Sequence, residues 1–234
     1  MRHPWRIKHK GNYMSNISSA TVFNFTNRFD YLISNLQKGI YCSNYYEKLP
    51  LKNNGYSAPM CCFCDIPLSM INQHFKWYGK FGLGINKTYA KNLGMRPVWY
   101  VTSENNYVHS IVKNEDLEVY QKRYIVPYLK QYYGKQKDDK GIEKYKKFYN
   151  EREWRYIADN RKVNLFFGKT YKRKIADTES RLKISTNAIE YIIIENETYL
   201  ERLYIQLKAM TTRKIKYESL VSKILTADKI IKDF

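Results

Sequence analysis

Met60-Cys61-Cys62-Phe63-Cys64-Asp65-Ile66-Pro67 is an apolar run of strand length closed by a proline, and it reads as a buried β-strand. Three of the chain's four cysteines crowd into it, which is poor geometry for a disulfide framework. A Cys-x-Cys pair with no matching Cys or His pair supplies too few soft ligands for structural zinc, so no metal site is expected. Cys61, Cys62 and Cys64 read instead as small packing residues, and none of the four histidines is placed to act as base for a cysteine nucleophile. Asp65, where the strand meets Pro67, is either a loop carboxylate at a site or a turn former.

Upstream, Val22-Phe23-Asn24-Phe25-Thr26 reads as a short strand. Asn27 to Lys38 follows as an amphipathic helix, with Phe29, Leu32, Ile33 and Leu36 on one face, Asn27 as N-cap and Gly39 as stop. Lys48 to Pro59, with Asn53-Asn54-Gly55 and two prolines, reads as a loop. Downstream, Ser69 caps a helix to about Tyr78, Phe81 to Ile85 is a strand, Thr88 to Leu93 a short helix and Pro97 to Thr102 another strand. The glycines of Tyr78-Gly79-Lys80-Phe81-Gly82-Leu83-Gly84 match neither phosphate-cradling loop pattern and point to tight turns; His74 reads as a packing residue.

Asp116 to Tyr133 reads as a helix kinked at Pro127, and Gly134 to Lys147 as a charged linker. Glu153 to Ala158, Val163 to Gly168 and Ile189 to Ile194 read as strands, followed by helices from about Glu197 and Tyr217. Strands and helices mixed without strict alternation give an α+β class. The domain reading is a basic flexible arm over 1–20, with no export signal, and a single α+β domain over 21–234.

Glu151-Arg152-Glu153-Trp154-Arg155-Tyr156 carries the clearest chemistry. On a strand, residues two apart share a face, so Glu151, Glu153 and Arg155 point one way and Trp154 and Tyr156 the other. Paired carboxylates on a cleft can hold a sugar hydroxyl and orient an acceptor in oxocarbenium chemistry. The same residues would also serve as a solvated strand face with cross-strand ion pairs.

Lys and Arg total 41 against 22 acidic residues, a net charge of +19, which attracts polyanions at long range. Twenty-three tyrosines add rings able to stack on bases. Nucleic acid is therefore the expected partner, although a Lys, Asn, Ile and Tyr-rich background would produce the same composition. No apolar run reaches the length of a membrane span, and a reducing cytoplasm is the expected compartment.

Several segments in order, namely Phe23-Asn24-Phe25-Thr26, Cys62-Phe63-Cys64-Asp65-Ile66-Pro67-Leu68, Tyr78-Gly79 with Phe81-Gly82-Leu83-Gly84-Ile85, and Glu151-x-Glu153-Trp154-Arg155, resemble the AbiGi-type abortive-infection family of phage-resistance proteins. That family looks distantly similar to the ADP-ribosyltransferase fold, including the DarT-like toxins. The resemblance implies a mixed sheet core with flanking helices and a helical C-terminus, and NAD as substrate. It implies that Glu153 and Glu151 are catalytic, Glu153 holding the nicotinamide-ribose hydroxyl, and that Asn24, Phe25, Thr26, Asp65 and Arg155 form the NAD pocket. Asn24 stands where a histidine is expected. The implied activity is transfer of ADP-ribose from NAD to a nucleic acid or other macromolecule. The alternative is a non-catalytic antitoxin or sensor binding a nucleic-acid or protein partner through Lys135, Lys137, Lys144, Lys146 and Lys147; a further reading is a structural subunit of a defence complex.

Overall fold

The computed structural model describes residues 18–50, 54–104, 106–114, 116–137, 141–167, 180–210 and 217–233. Most of the expected basic arm, residues 1–17, and the end of the expected strand at Gly168 lie outside them. The chain begins with strand β1 (Thr21–Thr26), helix α1 (Phe29–Lys38), the short β2 (Ile40–Tyr41), β3 (Ser43–Lys48) and the long β4 (Asn54–Cys64). Helix α2 (Asn72–Tyr78), β5 (Phe81–Asn86), α3 (Lys87–Asn92), β6 (Arg96–Pro97), β7 (Trp99–Val101), α4 (Asn106–Lys113) and α5 (Val119–Ile125) follow. Next come β8 (Leu129–Gln131), β9 (Tyr133–Lys137), β10 (Glu143–Lys147), β11 (Glu153–Ile157) and β12 (Asn164–Phe167). The last described elements are β13 (Arg181–Leu182), β14 (Ile189–Ile194), α6 (Leu200–Met210), α7 (Tyr217–Val221), β15 (Ile224–Thr226) and α8 (Ala227–Asp233).

The principal sheet is mixed, in the order β15-β14-β5-β1-β4-β11-β6, with β3 and β12 also paired to β4. Only β14 and β15 within it run parallel. This is the α+β arrangement that mixed strands and helices imply. Side-chain alternation assigns its two faces: Val22, Phe63, Leu83 and Ile192 pack with Leu32, Leu203 and Leu220 of the α1, α6 and α7 layer. Phe23, Cys64 and Ile193 pack instead with Phe75 of α2 and Ile230 of α8. Tyr56, Met60, Val126, Leu129 and Ile157 form a further core around the far end of β4.

The feature that creates a site is a split between two central strands. β1 pairs with β5 from Thr21 to Thr26 but with β4 only at Phe23 opposite Cys64. Beyond that point the Asn24 amide, not the backbone ladder, joins them, its Nδ2 donating to the Cys62 carbonyl at 2.9 Å.

Several expectations are corrected. Residues 54–59, expected in a loop, are the first half of β4, which pairs with β3 and β12 there; Pro59 has no N–H to leave unpaired and its carbonyl accepts from Ala158. The expected helix to Tyr133 stops at Ile125, because Pro127 forms a 3-10 turn and releases the chain into β8. The described parts of the expected charged linker are paired strands, β9 with β10 from Tyr133–Lys147 to Lys137–Glu143. Arg28, not Asn27, occupies the cap position of α1. Ser69 lies within a 3-10 turn, Leu68–Met70, and α2 starts at Asn72 without a side-chain cap. The single strand expected from Pro97 to Thr102 divides into β6, beside β11, and β7, parallel to β8.

Candidate functional site: a buried charge network beside a cavity

Strand register decides which groups meet. β11 lies against β4 with Glu153 opposite Cys64 and Arg155 opposite Cys62, so both charged side chains stand on the α2 face, while Trp154 opposite Phe63 turns into the other core. Glu151 is not on that strand. It ends the 3-10 turn Phe148–Glu151, and Arg152, at φ 47°, makes the left-handed corner that leads into β11. The corner brings Glu151 to the same face as Glu153 through a turn, not through the strand alternation expected for it.

Lys130 on β8 connects the carboxylates. Its Nζ lies 2.5 Å from Glu153 Oε2, 3.2 Å from Glu151 Oε2 and 3.6 Å from Glu47 Oε1. Arg155, fully buried, donates from Nε to Glu153 Oε1 at 2.5 Å, from Nη2 to Glu47 Oε1 at 3.1 Å, and from Nη1 to the Pro127 carbonyl at 2.7 Å and to the Tyr56 hydroxyl. Tyr56 in turn hydrogen-bonds the carbonyls of Pro127 and Leu129, tying the network to the chain that carries Lys130. On the other side, Lys146 lies 2.6 Å from Glu151 Oε1, which also accepts from the Tyr78 hydroxyl.

Burial alone would push these groups toward neutrality; opposite charges reverse that. Burial raises the Glu153 carboxyl, but Arg155 and Lys130 outweigh it and hold it well below the usual carboxylate range. Glu151 is held down in the same way against burial, chiefly by Lys130. Burial lowers Lys130, but Glu153, Glu47 and Glu151 lift it well above an ordinary lysine. For Lys146, burial wins over Glu151 and the ammonium is lowered. His74, whose ring lies near Phe25 and Tyr78, is pushed down to about 4 by burial and is neutral at pH 7.

The network forms one wall of a cavity of about 400 Å³. Asn24 and Phe25 line its split-strand side, Tyr45 and Glu47 come from β3, and Phe148, Glu151 and Glu153 close it, with Lys130 and Lys135 also in the lining. Cys62 and Cys64 face it with thiols raised well above their ordinary range, first by burial and then by the neighbouring carboxylates, so neither is a thiolate nucleophile. Cys42 and Cys61 pack in contact on the opposite core, their sulfurs 2.7 Å apart.

Of the residues singled out in the sequence, Glu151, Glu153, Arg155, Asn24 and Phe25 therefore converge. Thr26 accepts from the Arg28 backbone N–H and is not in the lining. Asp65 is also outside it: Lys87 Nζ, Ser18 Oγ and the Ser19 N–H all bind its carboxylate, at 2.7, 3.1 and 3.0 Å. The five lysines do not form one patch. Pairing places Lys144 and Lys146 with Gln136 on one face of the hairpin, and Lys135, Lys137 and Lys147 on the other. Lys130, Glu47, Tyr56 and Tyr78 were not legible as site residues. The available signal for Lys130 was Pro127, which ends the preceding helix and makes Leu129-Lys130-Gln131 a strand candidate.

Residues 41–195 match the family described as "Putative abortive phage resistance protein AbiGi, antitoxin". The chain is also 29% identical, over an alignment of 232 residues, to the abortive phage resistance protein AbiGi of Lactococcus lactis subsp. cremoris, with 80% of this chain and 92% of that protein covered. No solved structure matches the chain significantly. The matched span contains every charged member of the network, whereas β1 and Asn24 lie outside it.

Proposed function

The chain belongs to the AbiGi family of abortive phage resistance proteins, and we propose that it serves such a system as the antitoxin-type component, holding a macromolecular partner and not turning over a substrate. The observation that carries this reading is the closed state of Glu153. Its Oε1 accepts from Arg155 Nε and its Oε2 is ion-paired with Lys130 Nζ, both at 2.5 Å, the second contact being one of charge without hydrogen-bond geometry. A carboxylate with a cation against each oxygen has most of its charge already neutralised and is a weaker acceptor for a ribose hydroxyl, and withdrawing Lys130 would leave buried carboxylates short of a counter-charge. Asn24, at the position where the transferase pattern expects histidine, has its amide committed to β4. On this reading the ion pairs brace a split sheet.

A second reading, the NAD-dependent transferase, is favoured by one feature: Glu151 and Glu153, both ionised, line a cavity of ligand size together with the rings of Phe25, Tyr45 and Phe148. Growth of cells expressing the chain separates the two. An antitoxin leaves growth intact when expressed alone and restores it when co-expressed with its partner toxin. Growth arrest by the chain alone, relieved by a Glu153→Gln variant that still accumulates as folded protein and accompanied by NAD consumption in the wild type, would support the transferase.

A further inference from the structure

We propose that the groove on the outer side of Glu151, between α2 and the segment from β10 to Arg152, is a binding site for single-stranded nucleic acid. This names a partner class for the binding reading and rests on it. The groove encloses about 790 Å³, and its lining holds four cations, of which Lys146 is engaged with Glu151 and lies 4.3 Å over the Trp77 ring, leaving Lys76, Lys147 and Arg152 with the rings of Tyr145 and Tyr149. Glu151 is the one carboxylate among the described lining residues, and Lys130 and Lys146 already neutralise it. The groove is thus cationic on a chain that is itself strongly basic.

Its rings are set for stacking. Tyr149 is half exposed yet fixed, one side stacked on Tyr132 with centroids 5.1 Å apart and the Tyr100 ring meeting it at a steep angle. Tyr145 is 75% exposed, standing out from the hairpin beside Lys135. Lys147 Nζ lies 5.1 and 5.8 Å from the Tyr132 and Tyr149 ring centres, so the charge that meets a phosphate sits beside the surface that meets a base. Arg152 Nε is buried with no hydrogen-bond partner among the described residues, on a backbone held at φ 47°. Exposed rings interleaved with cations suit a strand whose bases are free to stack; in a duplex the base faces are already stacked on one another and only phosphates and base edges are offered.

The test is fluorescence anisotropy with labelled mixed-sequence 12-nucleotide RNA, the equivalent DNA, and a duplex of the same length, across a salt series. Three phosphate contacts give a slope of log affinity against log salt of about −2, at roughly −0.7 per contact on a single strand. Lys147→Gln should reduce the slope by about 0.7. Tyr145→Ala and Tyr149→Ala should each weaken single-strand binding on the order of tenfold without changing the slope. Tyr145 is a surface residue, so its variant keeps the test meaningful should the Tyr149 variant unfold. Equal affinity for the duplex with both tyrosine variants unaffected would overturn the assignment, leaving a general polyanion attraction. So would capture of a protein partner with no binding of any oligonucleotide. Neither outcome bears on NAD turnover, so this inference fails separately from the reading it rests on.

Discussion

Arg155 has no exposed surface, and a guanidinium is tolerated there because Glu153, Glu47, Tyr56 and the Pro127 carbonyl accept hydrogen bonds from its N–H groups. Deleting one partner of such a network leaves a buried uncompensated charge, so Arg155→Ala and Glu153→Gln should each lower unfolding free energy by about 3 to 5 kcal/mol, read from urea titrations. The pH dependence has two steps. The folded-state value of His74 is depressed to about 4 by burial, against about 6.5 unfolded. The unfolded chain therefore binds the extra proton, and stability falls as pH drops from about 6.5 toward 4. Below about pH 4.5 the depressed Glu153 and Glu151 add a second loss as the unfolded carboxyls protonate. Melting temperature against pH should show both, and His74→Phe should remove the upper step alone. Glu153 and Arg155 were legible because a spacing of two on a strand fixes a shared face. Lys130 was not, because its role depends on which distant strand lies opposite, and that is set by tertiary pairing.

At the level of elements, turns matter as much as strands. Gly79 ends α2 at φ 93°, and a Cβ there would stand 2.3 Å from the Asn27 Cα. Backbone on both sides cannot yield cheaply, so Gly79→Ala should cost at least 2 kcal/mol by denaturant titration, through both strain and clash. α1, read from its amphipathic spacing, and β1, β5 and β14, read from short runs of strand-forming residues, form where expected, since each carries its signal within its own sequence. The β9–β10 hairpin escaped because its residues are nearly all polar or charged. Its alternation separates an exposed face from one half-buried through Gly134, Gln136 and Lys146, and since none of these is apolar it leaves no hydrophobic signature. The opening of β4 was obscured for a related reason: Asn54-Gly55 and Pro59 are loop-formers by type, yet tertiary pairing on both edges holds them extended.

Across the whole molecule, the excess of positive charge is not concentrated at the network, where Glu47, Glu151 and Glu153 stand against Lys130, Lys146 and Arg155. Among the described residues the surplus lies outside that network. No helix among the described residues is long and apolar enough to cross a membrane. The α+β class was legible from the mix of elements; the split between β1 and β4, which makes the cavity, was not, because it arises where two sound strands cease to pair. We propose that Glu153 braces the sheet and does not catalyse. The most direct measurement is incubation of the wild type and Glu153→Gln with labelled NAD, nucleic acid and cell lysate, following label transfer and nicotinamide release. The account predicts neither from either protein; transfer by the wild type that is lost in a still-folded Glu153→Gln variant would contradict it.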